Sequence, residues 1–457
     1  MNHSEYLNIL KELFYAGIEA VEPTSLIHNY LNLEKNTLIL KTEKDYKLFN
    51  LDTFDEIYVI GAGKASESMA ERIYEILGDS IKSGLVVTKE AKYFNIGMIH
   101  VMEAGHPFPD ERSVNCGTTL QVMAHRAKEK TLFISLISGG ASALVEVPRV
   151  DFADGEEVKL SLEDIVEVNK LLLHCGASIE EINCVRKHIS MIKGGYLSAW
   201  MYPATALNLI LSDDELDRID VIGSGLTTYD ETFFEDVLWI IEKYDIKEKM
   251  PEKVMKIFEW GVNDKILETP KSEKLVFDKT TNVIIGNNAK VLNALKNRAK
   301  ELGFTSIVID KWIKGESRAA GRELYGEALK IKYDKIRKKP VILISGGETT
   351  VNVQGGGKGG RNQEMALAFL EEMERNPGDS QGIYFLSAST DGNDGPTDAA
   401  GAFASSEIAQ TVKLKGISIS EYLSRNDSYT FFDSCGYLFK TGYTGTNVCD
   451  VQIVLIT

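Results

Sequence analysis

Residues 57–66 read IYVIGAGKAS: a short, continuous apolar run, then a glycine loop, then the start of a helical period. The same order recurs in LFISLISGGASA (132–143), LNLILSDDE (207–215), NVIIGNNAK (282–290), VILISGGETT (341–350) and IYFLSASTDG (383–392). Continuous apolar runs bounded by glycine are typical of strands buried on both faces. Strands that alternate with helices indicate a largely parallel sheet. The pattern therefore predicts an α/β fold with ligands at the carboxyl ends of the strands, where these loops lie.

The composition excludes several classes of protein. The chain has 457 residues and a formal net charge of −16, from 51 basic and 67 acidic side chains. Its length predicts two or three domains at about 100–200 residues each. The acidic balance argues against a nucleic-acid binder and against a polybasic membrane-surface protein. No apolar run approaches the ~20 residues of a membrane helix, and the N-terminal stretch is typical of an amphipathic helix rather than a signal peptide. We therefore expect a cytoplasmic protein.

The cysteines and histidines give no metal signature. The five cysteines lie at positions 116, 175, 184, 435 and 449, and no two of them have C-x-x-C spacing. Neither a disulfide framework nor a structural zinc site is expected from this pattern. All seven histidines lie at or before His188, which excludes a His-rich metal site in the second half of the chain.

Hydrophobic periodicity predicts two helices, over residues 65–78 and 179–193. Arg186 and Lys187 fall beside or off the apolar stripe of the second helix. The polar stretch 262–279 lacks a clear period of either kind. We interpret it as the junction of two domains, residues 1–265 and 280–457.

The loop Gly61-Ala62-Gly63-Lys64 follows a predicted strand and opens a helix, so its N–H groups could hold an anion. It is neither a P-loop nor a dinucleotide fingerprint, because Ser66 stands where the latter has its third glycine. A tight turn with a solvated lysine is the alternative interpretation.

Two further loops of the first half are candidates. Ser138-Gly139-Gly140-Ala141-Ser142 could form a phosphate nest, or a turn with capping serines. Asp213-Asp214-Glu215 could bind a cation such as Mg²⁺, or cap a helix.

The second half carries the densest group of motifs. Glu348 precedes a run of five glycines in six residues, at Gly355, Gly356, Gly357, Gly359 and Gly360, followed by Arg361 and Asn362. We expect a mobile, backbone-rich loop in which Lys358 and Arg361 clamp phosphate or carboxylate. A merely flexible surface loop is the alternative.

Asp391 and Asp394 lie in the loop TDGNDG after another predicted strand. They are candidates for a general base or a metal ligand, and equally for ordinary turn residues. LISGGASALVEV (136–147) also resembles LISGGETTVNVQ (343–354), either by chance or because both loops handle phosphate or substrate. Anion nests, a base and carboxylates for Mg²⁺ together favour phosphoryl transfer.

The chain resembles the MOFRL-type (class II) glycerate kinases, some of which have been labelled hydroxypyruvate reductases. The resemblance covers nearly the whole chain. It is carried by IGAGKAS (60–66), GHPFPDERS (105–113), SLISGGASALVEVP (135–148), INCVRKHISMIKGGYLS (182–198), ISGGETTVNVQGGGKGGRNQE (344–364), STDGNDGPTDAAGAF (389–403) and TGYTGTNVCDVQIVLI (441–456). GGRNQE and TDGNDGPTDAAG are the most specific. The chain departs from the family at Glu215-Leu216-Asp217-Arg218, at Leu226 in the Ser-Gly-Pro-Thr motif, and at Tyr443.

The resemblance implies ATP-dependent phosphorylation of D-glycerate to 2-phosphoglycerate. It also implies two α/β domains with mainly parallel sheets, the first Rossmann-like, and an active site in the cleft between them. The last strand could return to the first domain. The family's motif lysine and arginine fall on Lys64 and Arg361.

These roles form one hypothesis. Phosphates of Mg-ATP lie against Gly139-Gly140 and loop 355–360, while Lys64 and Arg361 neutralise the transferred phosphoryl group and hold the substrate carboxylate. Lys187 or Lys193 adds a cation, unless both are solvated. One of Asp213 and Asp391 acts on the 2-hydroxyl and the other binds Mg²⁺.

The alternatives are an NAD(P)H-dependent hydroxypyruvate reductase, a kinase for another small hydroxy acid, and a non-catalytic anion-binding protein. A homodimer is left open.

Overall fold

The computed structural model describes residues 1–42, 45–273 and 275–457, which form two compact units. The N-terminal unit comprises Leu26–Ile285, and the C-terminal unit comprises Gly286–Thr457 together with Met1–Ser25. The first helix, α1 (His3–Val21), therefore belongs with the second half of the chain. Its Phe14 ring stands edge-on to Phe439, with ring centroids 5.0 Å apart. This division differs from the predicted boundaries at residues 265 and 280, because no sequence period reveals which unit covers the apolar face of α1.

The N-terminal unit is built on a seven-stranded sheet. Its strands are β4 (Glu56–Ala62), β5 (Ser83–Thr88), β6 (Asn95–Ile96), β7 (Ile99–Glu103), β8 (Thr131–Ile137), β11 (Thr205–Leu211) and β12 (Thr280–Gly286). Two smaller sheets complete the unit: β1 (Leu31–Glu34), β2 (Thr37–Lys41) and β3 (Tyr46–Asn50), and the pair β9 (Val150–Ala153) and β10 (Glu156–Lys159).

The strand order of the large sheet is β12-β11-β8-β4-β5-β7-β6. The pairs from β11 to β7 are all parallel. Along the chain the sheet first grows from β4 through β5 to β7, and then continues on the other side of β4 with β8 and β11. The order thus reverses between β4 and β8, and such a switch point is where ligands bind in open α/β sheets.

The helices of this unit follow the predicted alternation. They are α2 (Pro23–Tyr30), which crosses the unit boundary, α3 (Ser66–Leu77), α4 (Glu111–Ala124), α5 (Ala141–Leu144), α6 (Leu162–Cys175), α7 (Ile179–His188), α8 (Tyr196–Met201), α9 (Phe234–Lys243) and α10 (Glu252–Val262). Helix α3 confirms the predicted helix, and Gly78, whose φ is +49°, follows its last residue. Helix α7 begins at a Ser178–Glu181 capping box but ends at His188. Lys193, which the prediction placed inside this helix, therefore lies after it.

The C-terminal unit contains a mixed sheet of order β13-β15-β19-β16-β17-β18, with β14 also paired to β15. Its strands are β13 (Thr305–Val308), β14 (Ile313–Glu316), β15 (Val341–Thr350), β16 (Ile383–Ser389), β17 (Gly401–Ser405), β18 (Leu438–Phe439) and β19 (Asp450–Ile456). β19 is antiparallel to both β15 and β16. The last strand thus lies inside this sheet instead of returning to the first domain.

The helices of this unit, besides α1, are α11 (Asn288–Glu301), α12 (Ser317–Tyr333), α13 (Arg361–Arg375), α14 (Ser406–Leu414), α15 (Ile419–Ser424) and α16 (Ser428–Cys435). Helix α13 is almost entirely buried, as its apolar sequence predicts. The prediction of an α/β fold is confirmed. In the part of the chain that the structure describes, no helix has the length and apolar character needed to cross a bilayer.

Candidate active site

The loops after β4 and β8 are in backbone contact at the switch point. The N–H of Lys64 donates to the carbonyl of Gly139 at 2.9 Å. A Cβ on Gly61 would lie 2.4 Å from the carbonyl oxygen of Leu136, and one on Gly63 would lie 2.1 Å from Ser138 Oγ. Glycine is therefore required at both positions, because a side chain would push the two loops apart.

Ser138 holds these loops together. Its buried hydroxyl oxygen accepts a hydrogen bond from the N–H of Ala65 at 2.9 Å, at the start of α3. The hydroxyl thus occupies one of the helix N–H donors that an anion would otherwise use.

His106 reaches the same place from the loop that follows β7. Gly140 has φ of +88°, and a Cβ there would lie 3.1 Å from His106 Cδ2 and 3.5 Å from Lys64 Cγ. The ends of three strands thus bring an imidazole, a lysine and a glycine loop together. We had not predicted His106; the stretch GHPFPD directly after an apolar run is the signal that could have found it.

A chain of hydroxyl and amide groups leads from this loop to α7. Ser142 Oγ lies 2.8 Å from Ser224 Oγ, which donates to Asn183 Oδ1 at 2.9 Å. Ser224 belongs to the segment in which Leu226 replaces the family's proline. The substitution leaves this connection in place.

The two aspartates after β11 differ in their surroundings. Asp214 accepts hydrogen bonds from the backbone N–H groups of Leu216 and Arg218 and from the Arg218 guanidinium. Burial opposes ionisation of Asp214, but the contacts with Arg218 outweigh it and lower the pKa of the carboxyl. Asp214 is thus committed to this turn. Asp213 is partly buried at the same sheet edge as the loop after β8, because β11 and β8 are parallel neighbours.

Lys187 and Lys193 form buried ion pairs. Lys187 Nζ lies 3.2 Å from Asp230 Oδ1, and Lys193 is paired with the buried Glu146. Burial lowers the pKa of Lys193 against the opposing attraction of Glu146. Both lysines are thus buried in ion pairs, which corrects the interpretation that they are solvated. That one of them adds a cation at the site stays a prediction. The periodicity of a helix does not reveal carboxylates supplied by distant segments.

In the C-terminal unit, Arg361 is held by two carboxylates. Its Nε and Nη2 donate to Asp450 at 2.5 and 2.9 Å, and its Nη1 lies 2.7 Å from Glu348 Oε1. Burial disfavours the charged guanidinium, but Asp450 and Glu348 more than offset this and raise the pKa of Arg361 well above its ordinary value. Asp450 is fully buried and was not predicted; its place in the motif NVCDVQ was the available signal.

Glu348 lies on a strand and not in a loop. Residues 346–350, which we expected after the strand, continue β15 and pair with β14 and β19. A Cβ on Gly347 would lie 2.0 Å from the carbonyl oxygen of Ile313. The glycines of this motif thus serve close strand packing, because β14 covers the place where the chain would otherwise turn.

The glycine-rich loop 355–360 packs against the segment 425–428. The N–H of Gly357 donates to the carbonyl of Arg425 at 2.9 Å, and that of Lys358 to Asp427 Oδ1 at 3.0 Å. A Cβ on Gly357 would lie 2.4 Å from Asp427 Cβ, and one on Gly359 would lie 2.2 Å from Ser428 Oγ. The expectation of a mobile loop is therefore replaced by a packed one, whose glycines permit close approach.

Asp394 caps α13 from another segment. Its buried carboxylate accepts from the N–H groups of Asn362 and Gln363 at 3.0 and 2.9 Å. Burial raises the pKa of Asp394 to about 6, against the pull of those two N–H groups. Gly360 precedes the helix, and a Cβ on it would lie 2.3 Å from Asp394 Cγ. The start of this helix is thus occupied by a protein carboxylate.

Asn362 is fully buried, and Asp391 nearly so. Asn362 Oδ1 accepts from Ser387 Oγ at 2.6 Å. Asp391 follows β16 and accepts from Ser389 Oγ at 2.8 Å and from the N–H of Asn393 at 2.9 Å. The structure thus gathers Arg361, Glu348, Asn362 and Asp394 at the start of α13, with Asp391 in the same loop as Asp394.

Carboxylate oxygens of Asp213 and Asp391 are chemically suitable for Mg²⁺, which takes one or two carboxylates and completes its shell with water and substrate oxygens. Within residues 1–42, 45–273 and 275–457, no three His, Cys, Asp or Glu side chains cluster as a metal centre. A Mg²⁺ site of the phosphate-bridging kind does not need such a cluster.

Known proteins match both parts of the chain. Residues 9–259 match a domain of unknown function (DUF4147), and residues 341–450 match the MOFRL family. A D-glycerate 2-kinase of Thermotoga maritima is 40% identical over 88% of this chain and 91% of its own. A crystal structure of glycerate kinase from the same organism superposes with a TM-score of 0.81 at 37% identity, over 99% of this chain and all of that one. A protein of Agrobacterium vitis named as a hydroxypyruvate reductase is 35% identical over 87% of this chain and 86% of its own. The resemblance seen in the motifs is confirmed: the chain belongs to the MOFRL-type glycerate kinase family.

Proposed function

We propose that this chain is an ATP- and Mg²⁺-dependent kinase that transfers a phosphoryl group to the 2-hydroxyl of D-glycerate. The observation that carries the proposal is its 40% identity, over 88% of its length, to an enzyme named D-glycerate 2-kinase. The switch-point loops support it, because Lys64 and Gly139-Gly140 stand together where α/β sheets bind ligands.

In this proposal Lys64 supplies positive charge to the transferred phosphoryl group, whose charge is spread over its oxygens in the transition state. Gly139 and Gly140 allow phosphate oxygens to approach the backbone, since no side chain projects from them. Close packing of the loops after β4 and β8 holds the lysine backbone in place before substrate arrives, so little reorganisation is needed during the reaction.

Arg361 has a different part in the proposal. Asp450 and Glu348 fix its guanidinium from two sides. Their charges more than balance the charge of the arginine. Arg361 therefore orients an anionic group by hydrogen bonding more than it attracts one over a distance.

Asp213 and Asp391 are the proposed carboxylates for Mg²⁺ and for the 2-hydroxyl, with the division between them left open. When bound, Mg²⁺ neutralises charge on the ATP phosphates and on the leaving group. The remaining aspartate accepts a hydrogen bond from the 2-hydroxyl and takes its proton as the new P–O bond forms, while the bond between the γ-phosphorus and the bridging oxygen breaks and ADP leaves. The cytoplasmic location and the homodimer stay predictions.

The proposal is tested by ADP release from purified protein with Mg-ATP, with and without D-glycerate. Release that depends on D-glycerate supports it, and phosphorus NMR of the product identifies the phosphorylated hydroxyl. NADH oxidation with hydroxypyruvate, in the absence of ADP release, would contradict it. That result would favour the reductase name carried by the Agrobacterium vitis relative.

A further inference from the structure

Three cationic side chains, those of Arg186, Lys187 and Lys193, lie on α7 or just after it, and they differ in whether a carboxylate is paired with them. Lys187 is paired with Asp230, and Lys193 with Glu146. Arg186, beside Lys187, donates from Nε to Asn169 Oδ1 at 2.5 Å. Among the residues that the structure describes, no carboxylate lies within ion-pair distance of its guanidinium.

This arrangement is costly for a structural residue. Arg186 is only partly exposed, and burial lowers the pKa of its guanidinium against the weaker attraction of Glu146. Removing a charge from water is unfavourable unless a counter-charge is supplied. The chain supplies one to both neighbouring lysines. The cation without a carboxylate is therefore the one placed to receive an anion from outside the protein.

The position of Arg186 connects it to the switch point. Asn183 lies one helical turn before Arg186, so the two side chains lie on neighbouring parts of one helix face. Asn183 is hydrogen-bonded to Ser224, and Ser224 to Ser142 of the Ser-Gly-Gly loop. The face of α7 that carries Arg186 is thus joined to the loop beside Lys64.

The chemistry of the guanidinium indicates the kind of ligand. With Nε engaged by Asn169, the Nη1 and Nη2 groups remain for a planar pair of anionic oxygens, a geometry that arginine matches and lysine does not. We propose that Arg186 is a substrate-binding residue that holds such an oxygen pair, supplied by the carboxylate of the hydroxy acid. A nucleotide phosphate is the other source of the same chemistry. The inference rests on the proposed function and extends it.

Steady-state kinetics of Arg186→Gln and Arg186→Lys test the inference. For Arg186→Gln we expect the KM for D-glycerate to rise about 100-fold, the usual scale for a lost charge-assisted contact, with the KM for Mg-ATP within about twofold. Arg186→Lys keeps the charge but loses the planar fork, so a rise of about tenfold is expected.

A matched control is Arg298→Gln, which removes a surface arginine paired with Glu12 and Glu301 and should leave both KM values unchanged. A rise confined to Mg-ATP would assign the oxygen pair to a nucleotide phosphate. Wild-type KM values in Arg186→Gln would overturn the inference. If Arg186→Gln does not fold, as judged by its thermal midpoint, Arg186→Lys carries the test.

A binding measurement separates this inference from the proposed function. Wild-type protein that turns over no D-glycerate would contradict the function, and thermal midpoints with D-glycerate or inorganic phosphate would then decide the role of Arg186. A midpoint raised by either anion in wild type but not in Arg186→Gln supports the anion site. Equal responses in the two proteins, or no response in wild type, would overturn it.

Discussion

The two units use the tripeptide Ser-Gly-Gly in opposite ways. In the N-terminal unit Ser138-Gly139-Gly140 leaves the end of β8 and forms a loop beside Lys64. In the C-terminal unit Ser345-Gly346-Gly347 stays inside β15, where Ser345 Oγ donates to Gln452 on β19. Nearly identical stretches thus become a loop and a strand, because β14 pairs with the end of β15. The neighbouring strands, rather than the tripeptide itself, therefore decide the backbone conformation.

Lys64 and Arg361, the two cations of the family motifs, are held in place by different kinds of contact. Lys64 belongs to a site formed by close backbone approach, whereas Arg361 is fixed by side-chain contacts to Asp450 and Glu348. We therefore expect Lys64 to act mainly through its charge. Arg361 should act through geometry, and its loss should also destabilise the fold.

The largest expected effect is that of Lys64→Met. It should lower kcat for ADP release about 1,000-fold, since a pre-positioned charge at the transferred group is worth about this much. The thermal midpoint should change little. Lys89→Met is the control, because Lys89 forms a surface pair with Glu90 and should leave kcat unchanged. Activity of Lys64→Met within tenfold of wild type would remove the distinction between the two cations.

Arg361→Gln should affect both activity and stability. Because the fully buried Asp450 would lose its counter-charge, the free energy of unfolding should fall by about 2–4 kcal/mol, alongside a drop in kcat of about 100-fold. Denaturant unfolding and steady-state kinetics measure the two effects. In the double variant Arg361→Gln/Asp450→Asn, stability should return while activity stays low. Recovery of both would make the arginine purely structural.

Asp394 should make the C-terminal unit sensitive to pH. Its pKa is raised by burial to about 6, so between about pH 4 and 6 the folded chain holds a proton that the unfolded chain has lost. Its contribution to stability is therefore greatest at low pH and is lost as pH rises through 6. Relative to Asp394→Asn, wild type should lose about 2–3 kcal/mol of unfolding free energy between pH 4 and 7.5. A difference independent of pH would contradict this assignment.

The smallest expected effect concerns the packing of loop 355–360. Gly355→Ala would place a Cβ 2.2 Å from the carbonyl oxygen of Arg425, whereas Gly356→Ala would meet nothing within 4 Å. We expect Gly355→Ala to lower the free energy of unfolding by about 1–3 kcal/mol, and Gly356→Ala to change it by less than about 0.5 kcal/mol. Equal stability of the two variants in urea unfolding would restore the interpretation of a mobile loop.

The strands and helices that are determined by neighbouring residues could be predicted from the sequence. Apolar runs placed β4, β8 and β16, and hydrophobic periodicity placed α3, because these depend on neighbouring residues. Long-range partners were not predictable from a single chain. The pairing of Lys193 with Glu146, the capping of α13 by Asp394 and the clamp of Asp450 on Arg361 all join residues more than 30 positions apart.

The same holds for the candidate site: its motif positions could be predicted from the sequence, but the contacts between distant segments could not. The motif glycines were found, but their reason was not: Gly63 makes room for Ser138, and Gly359 for Ser428. His106 and Arg186 were not predicted as site residues: the stretch GHPFPD after an apolar run was the available signal for His106, whereas helical periodicity does not show which cation lacks a carboxylate partner. Only the fold reveals that one lies beside Gly140 and that the other has no carboxylate partner among the residues described.

The most direct test of the central claim follows phosphoryl transfer from Mg-ATP to D-glycerate by phosphorus NMR, in wild type and in Lys64→Met. The account predicts that wild type forms ADP and 2-phosphoglycerate in equal amounts, and that the variant forms both about 1,000-fold more slowly. Product formation by Lys64→Met at the wild-type rate, or none by wild type, would contradict it.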